Sequence, residues 1–244
     1  MDALPDTLPD APGERLRIAS YNIRKCLGTD RRRNPERTMR VIKRTAAEIA
    51  VLQEADRRLG DRPAALTPEV IAQASDYTPL PIAKNHVSLG WHGNAILVRP
   101  WIELEDLHHL DLPSFEPRGA VAADLRRDGQ LLRVVGVHLG LRTPDRLRQL
   151  GAISDWLATQ TRLPTLILGD FNEWSATAPL APLKPDFNVL APGPSFHARL
   201  RLAPLDRIAH CDLWEPARTG MLDEGEALRA SDHLPIWGEF RLPG

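Results

Sequence analysis

Thr165-Leu166-Ile167-Leu168-Gly169-Asp170-Phe171-Asn172 is an apolar run that ends in a carboxylate and an amide two residues apart. A short run of this composition reads as a strand buried on both faces, with the polar residues projecting from its tip. Toward the other end of the chain the order is reversed, and Ser231-Asp232-His233 precedes Leu234-Pro235-Ile236-Trp237. Three further runs repeat the pattern: residues 17–21 lead into Asn22, residues 49–53 into Glu54, and residues 131–137 into His138. One polar strand end is ordinary. Five of them, with identities able to hold a hard cation, activate water and contact a phosphoryl oxygen, point to a shared mouth and to phosphate chemistry.

Around these runs the chain alternates strands and helices irregularly. Asn34-Pro35 and Thr143-Pro144 each read as a cap followed by proline in the first helical turn. Met39, Val41, Ile42 and Ala46 give the first helix an inward face, and Leu147, Leu150, Ile153 and Leu157 do so for the second. A short helix is expected over 68–74 with Thr67 as its cap. Strands are expected over 93–98, 101–107, 205–213 and 235–242, and a hairpin over 118–125 and 131–138 turned at Asp128-Gly129. The proline-rich stretch 176–205 reads as loop with short helical turns. No sequence repeat or low-complexity tract interrupts the pattern.

The 244 residues, 43% of them hydrophobic, suffice for one large domain with a sizeable core. That domain is expected over 15–244, after a disordered segment over 1–14. Lys and Arg total 31 against 32 for Asp and Glu, which excludes a global field built for a polyanionic partner. Cys26 and Cys211 are the two cysteines and form no Cys-x-x-Cys motif, so a reducing compartment is the simpler setting, with a single bridge left open. No stretch approaches the length of a membrane span. Met1-Asp2-Ala3-Leu4-Pro5-Asp6 has neither the basic nor the apolar part of an export leader. A monomeric cytoplasmic protein is the expectation.

The ordered set Asn22, Glu54, His138, Gly169-Asp170-Phe171-Asn172, Leu205-Asp206-Arg207-Ile208 and Ser231-Asp232-His233 resembles the endonuclease/exonuclease/phosphatase superfamily of DNase I-like enzymes, over about residues 16–241. The Gly-Asp-Phe-Asn and Ser-Asp-His motifs are specific as a pair and weak singly. The resemblance implies an α/β fold, a four-layer α/β/β/α sandwich of two mixed β-sheets flanked by helices. It also implies a Mg²⁺ cofactor, with Mn²⁺ as a substitute, and a phosphate-ester substrate, nucleic acid among the candidates. Under it Glu54 and Asp232 hold the metal, Asp170 positions water, and Asn22 and Asn172 contact the phosphate. His233 contacts or protonates the scissile phosphate and is oriented by Asp206, and His138 is a second catalytic histidine, with Glu116 a candidate partner. Asn94 and Arg118 are substrate-binding candidates.

Each residue also has a local reading. Glu54 can be a solvated strand-end acid, Asp170 and Asn172 a turn, Ser231 or Asp232 a cap, and Asp206 the partner of Arg207. His138 can be structural, and Arg118 part of a surface salt bridge. One charge feature stands outside the motifs. Residues 24–44 hold nine Lys or Arg and two acids, with Arg31-Arg32-Arg33 the densest part. Leaving the first strand directly after Asn22, this run must start near the mouth. It could track a nucleic-acid backbone or an anionic lipid surface, or simply be a solvated loop and helix face. It has no interleaved aromatics for base stacking. Three functions follow: a metal-dependent phosphodiesterase or nuclease, the same chemistry on a phospholipid head group or small metabolite, and a non-catalytic binding module. Trp91, Trp101, Trp174 and Trp214 could supply an apolar platform or fill the core.

Overall fold

The computed structural model describes residues 13–114, 118–175, 180–183 and 186–241. Twelve strands among them form two six-stranded mixed sheets. The first sheet joins β1 (Arg15–Asn22), β2 (Ile49–Gln53), β3 (Thr78–Pro79) and β4 (Ala95–Val98) to the last two strands of the chain, β11 (Glu215–Met221) and β12 (Ile236–Arg241). Its order is β11-β12-β1-β2-β4-β3. The second sheet contains β5 (Ile102–Leu112), β6 (Arg118–Arg127), β7 (Gln130–His138), β8 (Thr165–Asp170), β9 (Phe187–Leu190) and β10 (Asp206–Cys211) in the order β5-β6-β7-β8-β10-β9. The central pair of each sheet, β1 with β2 and β7 with β8, is parallel, and all the other pairings are antiparallel.

The period-two alternation of side chains explains how one sheet serves two cores. Ile18, Ile49, Val51, Ile96 and Val98 of the first sheet meet Val121, Val135, Val137, Ile167 and Ile208 of the second. The intervening Tyr21, Ala50, Leu52, Ala95 and Leu97 point outward into a second cluster with α1 (Pro35–Arg44), α2 (Pro68–Ala74) and α4 (Ala227–Ala230). On the far side Leu150 and Ile153 of α3 (Thr143–Ala158) close over the second sheet. The result is the expected four-layer α/β/β/α sandwich. Each fully buried Leu, Ile or Val contributes roughly 1.5–3 kcal/mol, and β2, β7 and β8 each bury three or more of them.

Local signals account for most element ends. Asn34 caps α1 by accepting from the Arg37 amide at 2.7 Å, with Pro35 in the first turn. Thr67 caps α2 through the Val70 amide at 3.4 Å. The Thr143-Pro144 expectation is corrected: Arg142 occupies the cap position without a side-chain bond, and the Thr143 hydroxyl accepts from Arg146 instead. The loop expected over 176–205 contains a strand, β9, and β11 and the short β3 and α4 are also additions. Cys26 and Cys211 are both free and buried, so the single bridge left open by the sequence is absent. Of the segment expected to be disordered, 1–14, all but Gly13 and Glu14 lies outside the described residues.

At the end of the sandwich away from the polar strand tips, a buried ion pair ties the sheets together. The Arg127 guanidinium donates to both oxygens of Glu48, at 2.7 and 3.1 Å, and the Trp101 indole donates to the same carboxylate at 2.8 Å. Arg127 has no solvent exposure. A buried pair holds only while every partner is present.

Candidate active site

Strand register builds the site. In the parallel ladder His138 lies beside Asp170, and in the antiparallel one Asp206 lies opposite Asp170. Residues paired in this way share a face, so β7, β8 and β10 deliver an imidazole and two carboxylates side by side. In the other sheet Asn22 is the partner of Gln53, which puts Glu54 next along the same edge. The segment before β12 closes over the gap: the Ser231 hydroxyl donates to the Asn22 carbonyl at 2.7 Å, and the His233 amide donates to the Ser231 hydroxyl at 3.2 Å.

Asp170 is the hub. Its Oδ2 accepts from the Asn22 amide at 3.0 Å and lies 3.5 Å from His138 Nε2 and 3.7 Å from His233 Nε2. Its Oδ1 accepts from the Asn172 backbone at 2.9 Å. Burial raises this carboxyl to about 6, against the pull of the neighbouring His233. His233 Nδ1 is 2.9 Å from Asp206 Oδ2. Burial works against the charge on that ring, but the Asp206 and Asp170 carboxylates outweigh it and raise the imidazole to about 9. His138 moves the other way. Burial, with Arg118 next in effect, drives it well below the ordinary histidine range, so it is neutral at neutral pH. Three groups in contact are thus set to different protonation states.

Asp206 has a second partner that the motifs do not contain. The Ser195 hydroxyl donates to Asp206 Oδ2 at 2.5 Å, and Ser195 is itself fully buried. Ser195 sits in a proline-rich stretch with no periodicity, and its placement opposite Asp206 follows only from the fold. Beside it Phe196 packs on His233 with centroids 5.0 Å apart, and Trp174 meets Phe196 at 5.9 Å. Of the four tryptophans considered as a platform, Trp174 is the one left largely exposed, at 59%.

Glu54 and Asp232 occupy the rim. Glu54 pairs with the Lys25 ammonium, and Asp232 accepts the Arg24 guanidinium at 3.1 Å. Arg24, Lys25 and Cys26 all have positive φ, as do Glu54 and Asn172. Such conformations are costly for non-glycine residues and persist where the surroundings impose them. Two partly exposed carboxylates, each compensated by a cation, are oxygen donors that suit a hard divalent ion. Asp170, Asp206 and His233 also place ligand atoms within 4.8 Å of one another and could hold a metal ion.

Asn94 and Asn172 each have a partner within the fold. Asn94 is fully buried, and its amide donates to the Gly119 carbonyl at 2.8 Å, beside Arg118 at the start of β6. Asn172 has one amide hydrogen committed to the Leu139 carbonyl at 2.8 Å. Arg118 lines an open cleft together with Glu54, His138 and Lys25. Glu116 lies outside the described residues, and the carboxylate beside His138 is Asp170. The Asp206–Arg207 pairing is not the dominant one, since the Arg207 guanidinium donates to the carbonyls of Glu173 and Ser175.

Part of the basic run is paired within the fold. Arg24, Lys25, Arg37, Arg40 and Arg44 pair with Asp232, Glu54, Asp30, Glu226 and Glu224. Arg33 donates to the Lys25 carbonyl at 2.5 Å and fastens the loop to the mouth.

Residues 19–233 match the model of the endonuclease/exonuclease/phosphatase family. The chain belongs to that family. It is 32% identical over 167 residues to the uncharacterized protein YbhP of Escherichia coli, a match that spans 63% of this chain and 64% of that relative. Among solved structures, D. rerio TDP2 complexed with a single-strand DNA product superposes with a TM-score of 0.74 at 16% identity, over 93% of this chain and 99% of that one. A mannosyl-6-phosphatase of Bacteroides thetaiotaomicron gives 0.73 at 16% identity, over 92% and 99%. The catalytic domain of human nocturnin with bound sulfate gives 0.70 at 18%, over 93% of each chain. At these identities the structural likeness concerns the fold.

Proposed function

We propose that this chain is a Mg²⁺-dependent phosphodiesterase that hydrolyses phosphate esters by in-line attack of water. The observation that carries the proposal is the buried Asp170, held between the Asn22 amide and two histidines of opposite protonation state. A carboxyl raised to about 6 is still mostly ionised at neutral pH and basic enough to take a proton from water. The His233 imidazolium, oriented by Asp206 and Ser195, presents an N–H donor to a phosphoryl oxygen on which charge develops. Neutral His138 and the remaining amide hydrogens of Asn22 and Asn172 hold the other oxygens. Mg²⁺ held by Glu54 and Asp232 would supply Lewis-acid polarisation and charge compensation. The donor types in all six motif segments are those the chemistry needs, which argues against a non-catalytic module.

A second reading, the same chemistry on a small phosphorylated metabolite, is favoured by two observations. Five of the nine basic residues of the run that suggested nucleic acid are paired with acids of the fold. The cleft beside Glu54 is small, about 260 Å³. The fold neighbours include both a DNA-bound protein and a sugar phosphatase. No helix among the described residues is long and apolar enough to cross a membrane, and the two free buried thiols suit a reducing cytoplasm.

The test is hydrolysis with and without Mg²⁺, on single- and double-stranded oligonucleotides, phospholipid head-group diesters and phosphomonoesters. Glu54→Gln serves as the control, because the amide keeps the shape and removes the charge. We expect metal-dependent turnover of diesters that Glu54→Gln abolishes, with calorimetric Mg²⁺ binding lost in the same variant. Turnover unaffected by chelation or by Glu54→Gln would overturn the metal assignment, and turnover of monoesters alone would select the second reading.

A further inference from the structure

The loop after Glu54 carries three arginines that belong to none of the motifs: Arg57, Arg58 and Arg62. With Lys25 and Arg118 they place five basic side chains around the cleft that Glu54 and His138 also line. The carboxylates on that lining are Glu54 and Asp56. Asp56 is committed to the backbone, accepting the Leu89 and Gly90 amides at 2.7 and 3.2 Å. Glu54 already faces Lys25, with Arg58 3.8 Å away. Among the described residues, neither Arg57 nor Arg62 has a carboxylate within ion-pair distance.

The loop is built rather than loose. Asp56 and Ala64 form a bridge, the Arg57 amide donates to the Pro63 carbonyl at 2.9 Å, and the Ala65 amide donates to the Ala55 carbonyl at 2.8 Å. Arg62 Nη1 lies 3.2 Å from His92 Nδ1. Burial first, and then the Arg62 charge, lower the His92 imidazole, which leaves the ring neutral and able to accept from the guanidinium. Like charges gathered around a low-dielectric cleft repel one another until an anion arrives, and they focus a positive field into it. On the hydrolase reading a single scissile phosphate is served by Asn22, Asn172, His138 and His233, so Arg57 and Arg62 call for another anion.

We infer that the substrate carries a second phosphate, seated on Arg57 and Arg62 beyond Glu54 and adjacent to the scissile group. The inference rests on the hydrolase reading, since it names the substrate class of the same cleft. Planar guanidinium forks match phosphate oxygens two at a time, which makes arginine suited to such a seat. The second phosphate could belong to a small bisphosphorylated metabolite or to the next position of a nucleic-acid chain.

Two measurements separate this inference from the reading beneath it. The first needs no turnover: calorimetric binding of inorganic pyrophosphate and of inorganic phosphate to the metal-free protein, in the wild type and in Arg57→Gln/Arg62→Gln. We expect pyrophosphate to bind about tenfold or more tighter than phosphate, and the double variant to lose that difference. The second compares kcat/KM within two substrate pairs, a dinucleoside monophosphate with and without a further terminal phosphate, and a sugar bisphosphate against the monophosphate. A preference of about tenfold or more in either pair, collapsing in the double variant through KM, supports the inference, and the pair that shows it identifies the source. Equal binding of the two inorganic anions overturns it, as does equal turnover within both pairs. Arginine-dependent pyrophosphate binding without hydrolysis of any ester would leave the second-phosphate seat standing and remove the hydrolase reading instead.

Discussion

Asp206 is fully buried, and the partners of its Oδ2 are the Ser195 hydroxyl and the His233 ring. This arrangement makes a pH prediction with a definite sign. His233 has a folded value raised to about 9 in the metal-free protein. The stability its charge contributes is fully present below the ordinary histidine value of about 6.5 and is lost as pH rises through about 9. Asp206→Asn removes the main counter-charge. Unfolding midpoints compared at roughly pH 6 and pH 10 should show a smaller fall for the variant than for the wild type. NMR titration should place its His233 ring well below the wild-type value, and turnover should drop on the order of 10²- to 10⁴-fold. An unchanged ring titration would dissolve the pairing. Asp170, Asn172, Asp206, Asp232 and His233 are legible in the sequence because each sits in a short motif beside an apolar run. Ser195, Arg57 and Arg62 are not, because their placement depends on loops folding back over strand ends, which no local pattern encodes.

The candidate site residues sit at strand tips, and their geometry leaves little room. Gly169, the residue before Asp170, has a φ of +154°, and a Cβ there would come within 1.9 Å of the Val137 carbonyl oxygen. Gly169→Ala must therefore push β8 away from β7 next to the His138–Asp170 pair. We expect a loss on the order of 1–3 kcal/mol, the range of overpacked core substitutions, and a fall in turnover larger than the residual unfolding explains. Equilibrium denaturation and kcat measured on the folded fraction would check it. Wild-type stability with full activity would show that β8 can yield. The central elements are readable from short uninterrupted apolar runs, Ile49 to Leu52 in β2 and Leu166 to Leu168 in β8, and α1 announces itself by cap and proline. The elements absent from the sequence reading are peripheral. β9 hides in a proline-rich stretch, and β11 is an exposed edge strand, Glu215-Pro216-Ala217-Arg218-Thr219-Gly220-Met221, without apolar alternation. Its pairing with β12 comes from the sheet it joins rather than from its own propensity.

At the scale of the molecule, the Glu48–Arg127 pair and the polar mouth sit at opposite ends of the two packed sheets, so stability and activity should separate. Arg127→Ala leaves Glu48 buried with the Trp101 indole as its remaining strong donor. We expect a loss of about 3–5 kcal/mol, read as a lower denaturant midpoint, with kcat on the folded fraction close to that of the wild type. A comparable fall in kcat would mean that the sheets slide against each other when the pair is broken. The sheet orders carry a further consequence. From edge to edge both sheets run antiparallel, antiparallel, parallel, antiparallel, antiparallel, and β11-β12-β1-β2-β4-β3 corresponds position by position to β5-β6-β7-β8-β10-β9. Asn22 and His138 end matching strands, Glu54 and Asp170 lie at the tips of matching strands, and α1 and α3 are matching crossovers. Asp206 opens the counterpart of the strand that Asn94 precedes, and Arg118 opens the counterpart of the strand that follows His233. Arg15 and Arg241 are register partners, so a chain joined near them and opened between β4 and β5 would read as one six-stranded unit followed by another. The mouth is where the two units meet, and equivalent positions differ there: Glu54 stands at the rim beside Lys25, whereas Asp170 is buried between His138 and His233.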